Sequence, residues 1–225
     1  MKIPIKIMIE ILNDITKKKK TKKLYTKCFD DSSLFVDFYY DDICLNNIII
    51  DVLIDGEVVS MCHLNPYKLN IEGKIIDAYY IVAVATEKRY RKMGYMTLVL
   101  NKAFEYMKEK NVPFCFLMPV NPKIYEKIGF REIGNFELNK DISYEYIKTH
   151  FDIYCIQDDR YRYIRRKERL IDEIAPSGEP LQNPIIMAKI PDIESFGKSI
   201  NRNFDTESDA IEYLKKKTKF FQEDI

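Results

Sequence analysis

Three basic residues and a glycine stand together in a short stretch that could bind an anion. Arg89, Arg91 and Lys92 are followed by Gly94. Guanidinium and ammonium groups attract phosphate, and a glycine lets the main chain approach an anion without a Cβ in the way. These residue types predict a pyrophosphate site, provided that the flanking elements direct main-chain N–H groups towards it.

The flanking sequences predict a strand before this stretch and a helix after it. Ile75–Val84 is apolar and β-branched, which favours a buried strand. Beyond the basic stretch the apolar residues recur at helical spacing up to a stop before Pro113, and they are Met96, Val99, Leu100, Ala103, Phe104 and Met107. A helix that starts at such a turn presents free N–H groups and a positive dipole end to an anion. A charged turn that only caps the helix remains the alternative interpretation.

Length and composition limit the classes to which the protein could belong. Its 225 residues, 46% of them hydrophobic, can bury a substantial core. A net charge of +1 creates no field that would attract nucleic acid or an anionic membrane. No apolar run approaches the ~20 residues of a membrane span. We therefore expect no nucleic-acid partner and no membrane partner.

The cysteines and histidines argue against a metal site. The five cysteines are scattered without a C-x-x-C pair, and the chain has two histidines. Neither a disulfide framework nor a structural zinc site fits this distribution, and we expect no metal. The simplest location for such a chain is a reducing cytoplasm.

The first third of the chain predicts helices followed by a hairpin. Ile9 to Phe29 looks helical, and its lysine run, Lys17–Lys20 with Lys22 and Lys23, fits a solvated helix face better than a nucleic-acid site, because no aromatic residues interleave it. Asp31 or Ser32 could cap a further helix. Asp55-Gly56 between Ile48–Ile54 and Glu57–Leu64 predicts a type I′ hairpin, and Pro66 should bend or end the pairing.

The remaining elements alternate between strands and helices. Asn121-Pro122 opens a short helix that Gly129 should end, and Phe130 begins another strand. The other predicted segments are strands at Pro113–Pro119, Phe151–Ile156 and Ile185–Ile190, helices at Asp158–Ile174, Asp192–Ile200 and Thr206–Lys219, and a linker at Ala175–Pro184. This order indicates a mixed sheet with helices on its faces.

Several blocks together resemble the GNAT acyltransferases. Arg91-Lys92-Met93-Gly94-Tyr95-Met96 is similar to the R/Q-x-x-G-x-G/A loop with which that family holds coenzyme A, although Met96 departs from the last position. Val82-Ala83-Val84-Ala85-Thr86 resembles the strand before that loop. Ile124-Tyr125-Glu126-Lys127-Ile128-Gly129-Phe130 resembles the family's Y-x-x-x-G-F block. The resemblance covers roughly Leu24 to Ile133.

Other details are similar to the Eis-like branch of this family. They are Val59-Ser60-Met61, Leu64-Asn65-Pro66-Tyr67, Phe151-Asp152-Ile153-Tyr154 and Pro184-Ile185-Ile186-Met187-Ala188. The resemblance implies an α/β fold of the GNAT type, with a mixed, mostly antiparallel central sheet flanked by helices and a small C-terminal extension. It places an acetyltransferase domain at residues 1–136 and a shortened second Eis-like region at 137–225.

The resemblance also implies a reaction, namely transfer of an acetyl group from acetyl-CoA to a primary amine by direct attack. The amine would belong to a small molecule or a peptide, and a homo-oligomer is possible in such a protein. The residues that would bind the cofactor are Val82, Ala83, Val84, Arg89, Arg91, Lys92, Met93, Gly94, Tyr95 and Met96. A CoA-binding module with little or no turnover, acting as a sensor or an assembly partner, is the alternative.

Tyr125 is the residue to which the resemblance assigns catalysis. Its phenol would protonate the departing thiolate, because a hydroxyl with a pKa near ~10 can donate a proton there. A tyrosine that only fills a helix–sheet interface would give the same pattern. The general base is left open between Asp77, His63, a water chain and a desolvating pocket, and the sequence does not identify the acceptor amine.

Overall fold

The computed structural model describes residues 6–137, 141–176 and 184–223. The chain forms two compact units, each of which is built from separated segments. The first unit draws on 1–65, 81–104 and 162–179, and the second draws on 66–80, 105–161 and 180–225. The third and fourth strands run through both units.

The described strands are β1 (Ile7–Leu12), β2 (Ile48–Ile54), β3 (Glu57–Ile71), β4 (Lys74–Thr86), β5 (Phe114–Leu117), β6 (Arg131–Asn135), β7 (Ile153–Cys155), β8 (Ile185–Lys189) and β9 (Lys219–Phe220). The described helices are α1 (Ile15–Lys18), α2 (Lys22–Cys28), α3 (Ser33–Asp41), α4 (Tyr95–Glu109), α5 (Pro122–Glu126), α6 (Tyr144–His150), α7 (Asp159–Ile174), α8 (Ile193–Ser199) and α9 (Glu207–Lys215). Short 3₁₀ turns lie at Lys19–Thr21, Ile43–Leu45 and Lys88–Tyr90.

An antiparallel sheet forms the centre of the first unit. Strand β2 pairs with β1 on one side and with β3 on the other, and β4 lies next to β3. The predicted hairpin is confirmed, since Asp55 and Gly56 both have positive φ, at 49° and 86°. These two angles are the ones that a type I′ turn needs, and they explain why Asp-Gly stands there.

Helices cover both faces of this sheet. On one face the hydroxyl of Tyr39, from α3, is hydrogen-bonded with Nδ1 of His63 on β3 at 3.0 Å. On the other face the thiol of Cys62 donates to the carbonyl of Val99, from α4, at 3.8 Å. Ser32 caps α3 as predicted, with its hydroxyl accepting from the N–H of Phe35 at 3.1 Å. Adjacent residues of β3 thus anchor opposite layers.

Most lysines of the run form ion pairs at the surface, and the prediction that the run is a solvated face is wrong for Lys18. That side chain is fully buried, and its ammonium donates to the carbonyls of Cys44 and Asn47 at 2.7 and 2.6 Å. Burial lowers the pKa of Lys18. Other members of the run pair with carboxylates in the pairs Lys19–Asp41, Lys20–Glu10, Lys22–Asp37 and Lys23–Glu57.

In the second unit, later parts of the chain complete the sheet. Residues Ala78–Tyr80 of β4 pair in parallel with Phe114–Phe116 of β5. Strand β8 then lies between β5 and β6 and pairs antiparallel with both. A segment after residue 180 therefore supplies an inner strand, while the boundary at residue 136 stays a prediction.

Aromatic residues fill the core of the second unit. The ring of Phe116 lies 5.1 Å from that of Tyr80 and 5.0 Å from that of Phe221. Phe221 is fully buried, and its carbonyl accepts from the N–H of Glu137 at 2.7 Å. Glu223, 2% exposed, accepts from the hydroxyl of Tyr161 at 2.6 Å. The described C-terminal residues thus belong to the core.

Several predicted boundaries need correction. Ile7–Leu12 is a strand, so the helix predicted from Ile9 begins too early, and the predicted last helix ends at Lys215 because Lys219 joins β9. The predicted end of pairing near Pro66 is confirmed for β2, whose pairing with β3 stops at Leu64, while β3 itself continues to Ile71. Residues 177–183 of the predicted linker lie outside the described residues. The short apolar run of β1 could not be distinguished from a helix by period alone.

The fold class is confirmed as α/β, with a mixed, mostly antiparallel sheet and helices on its faces. None of the helices in the described ranges combines the length and the apolar character that crossing a membrane requires.

A buried carboxylate lies in the first unit where β1 and β2 pair. Asp51 of β2 stands opposite Glu10 of β1, and both carboxylates pair with Lys20, whose ammonium is 3.1 Å from Asp51 Oδ2. The Asp51 side chain is inaccessible to solvent. Burial raises the pKa of Asp51 from the ordinary 3.8 to about 6, because the charged form loses hydration that one shared ammonium does not replace.

We expect Asp51→Asn to stabilise the fold at neutral pH and to have little effect near pH 4. The folded state holds the Asp51 proton more tightly than the unfolded state, so wild-type stability falls as the pH rises through about 4 to 6. At 1.4 kcal/mol per pKa unit, the advantage of the variant should grow by about 2–3 kcal/mol over that interval. Urea unfolding at several pH values measures it, with the exposed Asp37→Asn as control. An advantage that does not change with pH would contradict the account.

Candidate functional site

The end of β4 contains a break in regular strand geometry. Ala83 has φ of 50°, in the left-handed region, although the residues around it are extended. Such a residue inside a strand is typical of a β-bulge, which redirects the neighbouring peptide groups. Ala83 itself is buried, whereas Val82 and Val84 are half-buried on the opposite side of the strand. The three residues predicted to contact a cofactor thus lie at this break in the strand, which we call the Ala83 bulge.

A hydroxyl clamp from β3 holds the last residues of β4. The buried Ser60 donates to the carbonyl of Ala85 at 3.0 Å, and the hydroxyl of Thr86 lies 2.9 Å from the same Ser60 oxygen. Since a serine has one proton to give, the Thr86 hydroxyl donates to Ser60. The main chain continues the pairing beyond the clamp, because the N–H of Glu87 donates to the carbonyl of Val59 at 2.9 Å. Strand β4 therefore ends in a fixed position.

The turn that follows is shaped by two more left-handed residues. Lys92 has φ of 65° and Gly94 has φ of 87°. Turns that include left-handed residues direct successive N–H groups to one concave side, which is an arrangement that binds anions. A Cβ on Gly94 would meet no atom within 4 Å, so the space beside it is open. Gly94 is therefore required by its backbone angle, not by crowding.

The basic residues of the turn differ in how they are held. The Arg89 guanidinium lies 3.1 Å from the carboxylate of Glu87 and 3.6 Å from that of Glu57, and it stacks on the ring of Tyr90. Arg91 donates through Nε to the carbonyl of Thr86 at 3.1 Å. Among the described residues Lys92 has no carboxylate partner, and it is exposed. Arg89 thus shares Glu57 with Lys23 and Glu87 with Lys27, while Arg91 is fixed by a neutral carbonyl.

Helix α4 begins directly after this turn, at Tyr95. Its first N–H groups, including those of Tyr95 and Met96, have no acceptor within the helix, and they lie at the positive end of the dipole of a 15-residue helix. Met93 is 62% exposed, so the turn is open to solvent. The free N–H groups at the start of α4, the basic side chains and the open surface are features that a pyrophosphate site needs, and the site itself stays a prediction.

Tyr125 lies in the second unit, on the short helix α5. Asn121 caps this helix by accepting from the N–H of Lys123 at 3.1 Å, and Gly129, with φ of 97°, ends the segment. The Tyr125 carbonyl accepts from the N–H of Phe130 at 3.1 Å, and the Tyr125 ring is half-buried edge-on to the Phe130 ring. The predicted cap and C-terminal glycine are confirmed, and the catalytic role of Tyr125 stays a prediction.

The two side chains considered as the general base, His63 and Asp77, differ in their exposure to solvent. His63 is fully buried against Tyr39, and burial, reinforced by Lys18, lowers its pKa to about 3. A neutral core histidine cannot collect protons from solvent at neutral pH, so the interpretation of His63 as an ordinary sheet residue is the correct one. Asp77 is exposed on β4 in the second unit.

The sequence did not predict the Ala83 bulge or the hydroxyl clamp of Ser60 and Thr86. Nothing in the residue types distinguishes Ser60 or Thr86 from other polar strand residues. For Ala83 the one signal is a weak one, since small residues stand at 83 and 85 in a strand otherwise rich in β-branched and aromatic side chains.

Comparison with known families gives a match over this part of the chain. A family model described as an acetyltransferase (GNAT) domain matches residues 14–133, which is more than half of the chain. The match includes β4, the basic turn, α4 and α5. No curated protein matches the chain.

Solved structures share the fold at low sequence identity. Eis1 from Mycobacterium abscessus has a TM-score of 0.56 at 10% identity, covering 83% of this chain and 51% of that one. YhbS, a GNAT family N-acetyltransferase from Escherichia coli solved with CoA, has a TM-score of 0.52 at 12% identity. The match covers 91% of this chain and 97% of YhbS. A probable N-acyltransferase from Enterococcus faecalis V583 has a TM-score of 0.54 at 16% identity. The match covers 58% of this chain and 33% of that protein. The chain therefore spans a third to a half of the Enterococcus and Mycobacterium proteins.

We expect Ala83→Gly to be neutral or stabilising, whereas Ala85→Gly should destabilise the protein. An L-residue in the left-handed region costs about 1–2 kcal/mol, which glycine relieves, whereas glycine in an extended position costs about 0.5–1 kcal/mol. The two alanines are matched, at 4% and 5% exposed. Urea unfolding of both variants gives the comparison. Equal destabilisation would mean that Ala83 is an ordinary strand residue.

Proposed function

The chain belongs to the GNAT acetyltransferase family, and we propose that it transfers an acetyl group from acetyl-CoA to a primary amine by direct attack. The observation that carries the proposal is the turn between β4 and α4, where Lys92 and Gly94 are left-handed and the first helical N–H groups are free. No covalent acetyl-enzyme is required, because the amine itself is the nucleophile.

The pyrophosphate of acetyl-CoA is assigned to this turn. The N–H groups from Lys92 to Met96 would donate to its oxygens, and the side chains of Arg91 and Lys92 would add charge. Arg89 has a supporting role in this scheme, since its guanidinium is already paired with Glu57 and Glu87. Gly94 supplies the backbone angle that no other residue adopts without strain.

The pantetheine arm is assigned to the end of β4. An extended chain of amides can pair with a strand as a further strand would, and Val82, Ala83 and Val84 would offer the main-chain groups. The bulge at Ala83 supports this assignment because it redirects peptide groups that a regular strand would direct to its neighbours.

Acetyl transfer requires two proton movements. A primary amine with a pKa of about 10.4 must lose a proton before it attacks, which costs roughly 4–5 kcal/mol at pH 7. As the C–N bond forms and the C–S bond breaks, the departing sulfur becomes a thiolate that needs a proton. We assign that donation to the Tyr125 phenol, which the match of its block to the family pattern supports. His63 is excluded as the acceptor of the first proton, since it is enclosed in the core.

The acceptor in this proposal is a small-molecule or peptide amine. The test is to incubate the purified chain with acetyl-CoA and a panel of polyamines, aminoglycosides and peptides, and to follow free thiol. Amine-dependent thiol release is the expected result. Binding of acetyl-CoA without release for any amine would favour the alternative of a CoA-binding module, and absence of both would refute the proposal.

We expect Arg91→Ala to weaken CoA binding much more than Arg89→Ala does. Loss of a charged hydrogen-bond donor to a phosphate costs about 1.5–3 kcal/mol, which is roughly a 10- to 100-fold loss of affinity. Arg89→Ala should change the affinity by less than about threefold, because its charge is already engaged by two carboxylates. Calorimetric titration with CoA measures both. A larger effect at Arg89 would contradict the assignment.

We expect Tyr125→Phe to lower kcat by about 100-fold or more while leaving CoA affinity unchanged, because only the general-acid proton is lost. The matched control is Tyr146→Phe, in which an exposed phenol of the same unit is removed. Steady-state thiol release gives kcat, and calorimetry gives the CoA dissociation constant. A Tyr125→Phe variant that turns over at the wild-type rate would remove Tyr125 from the mechanism.

A further inference from the structure

Strand β1 is an edge strand whose outer side has no strand partner among the described residues. It lies at the end of the strand order, and β2 is the strand with which it pairs within the described part of the chain. Its register runs without interruption from Ile7 opposite Ile54 to Leu12 opposite Ile49. An edge of this kind presents a row of main-chain donors and acceptors to any strand that approaches.

The pairing alternation identifies which residues carry those groups. The N–H of Asp55 donates to the carbonyl of Lys6 at 3.1 Å, so Lys6 is in a hydrogen-bonded pair with β2. In an antiparallel ladder, hydrogen-bonded pairs alternate with non-hydrogen-bonded pairs. The N–H and C=O groups of Met8, Glu10 and Leu12 therefore point towards β2. The N–H and C=O groups of Ile7, Ile9 and Ile11 therefore point away from β2, along the open edge.

The same three residues form an apolar stripe on one face of the strand. Ile7 is 51% exposed, Ile9 is 38% exposed and Ile11 is half-buried. Natural edge strands are usually protected by charged side chains, prolines or bulges; Ile7–Leu12 contains no proline or bulge, and its one charged residue, Glu10, alternates with the isoleucines and so lies on the other face. The edge is thus both hydrogen-bonding and apolar, as at an interface.

We propose that the β1 edge pairs antiparallel with the β1 edge of a second copy of this chain, about a two-fold axis at Ile9. This register sets Ile7 opposite Ile11 and Ile9 opposite Ile9, so every outward residue forms a hydrogen-bonded pair. Positions 7, 9 and 11 are all isoleucine, so the two copies present the same side chains to each other, as an isologous contact requires. Facing β-branched side chains also stabilise such pairs.

The charges of β1 are compatible with this two-fold contact. The charged side chain within the strand is Glu10, which pairs with Lys20 of its own chain, an ammonium that it shares with Asp51. In the register centred on Ile9, Glu10 faces Met8 of the second copy, so the two carboxylates do not oppose each other. A register shifted by two residues in either direction would leave one outward isoleucine facing a residue outside β1.

The dimer should be weak and dependent on concentration. A strand of six residues is about 20 Å long, and its edge alone supplies less area than the about 800 Å² per partner that stable complexes bury. We therefore expect the monomer to dominate at low concentration and the dimer to appear as the concentration rises.

Disulfide trapping tests the register directly. In the proposed pairing the two copies of residue 9 are directly opposite, with Cα atoms about 5.5 Å apart, which is within the range for a disulfide. Oxidised Ile9→Cys should therefore form a covalent dimer on a non-reducing gel. Ile7→Cys is the matched control, since its two copies would lie about 14 Å apart. The wild type controls for Cys28, because the other four native cysteines are buried.

Sedimentation of unmodified chains gives the second readout. Wild type should shift from monomer to dimer as the concentration rises, and Ile9→Lys should stay monomeric with unchanged circular dichroism. Met8→Lys should keep or strengthen the dimer, because the introduced ammonium would face Glu10 of the second copy. A wild type that remains monomeric at submillimolar concentration, or equal cross-linking of Ile7→Cys and Ile9→Cys, would overturn the proposal. The edge would then be free for a strand of a different protein.

Discussion

The candidate site depends on main-chain polar groups that the fold leaves without internal partners. A regular strand followed by a capped helix would satisfy its own N–H and C=O groups. Here Ala83, Lys92 and Gly94 take left-handed angles within twelve residues and break that regularity. The hydroxyls of Ser60 and Thr86 keep the break in place by satisfying the carbonyl of Ala85 and bonding to each other. The irregular backbone thus leaves an open turn whose N–H groups have no partner within the helix.

Charge in the first unit is distributed so that few cations remain available to a ligand. Lys19, Lys20, Lys22 and Lys23 are paired with carboxylates, and Lys18 is enclosed beneath two carbonyls. Arg89 is held by Glu57 and Glu87. At the turn, Lys88, Arg91 and Lys92 are exposed, and no carboxylate of the described residues pairs with them. A chain with a net charge of +1 can thus still have a local group of basic side chains open to solvent.

The sequence predicted the parts of the fold whose signals are local. The Asp55-Gly56 hairpin, the period of α4, and the cap and glycine of α5 follow from turn and helix chemistry, and all are confirmed. It also located the basic turn, because charge, glycine and flanking periods coincide there. It could not predict that β8 would lie between β5 and β6, since that pairing joins residues far apart in the chain. Nor could it predict the bulge at Ala83 or the burial of Lys18 and His63, which depend on tertiary contacts.

The measurement that tests the central claim most directly is a calorimetric comparison of acetyl-CoA with S-acetylpantetheine, which has the same thioester but no pyrophosphate. If the turn between β4 and α4 binds the diphosphate, acetyl-CoA should bind with measurable heat, and S-acetylpantetheine should bind at least about 100-fold more weakly. Equal affinity for the two compounds, or no heat with acetyl-CoA at any attainable concentration, would contradict the account.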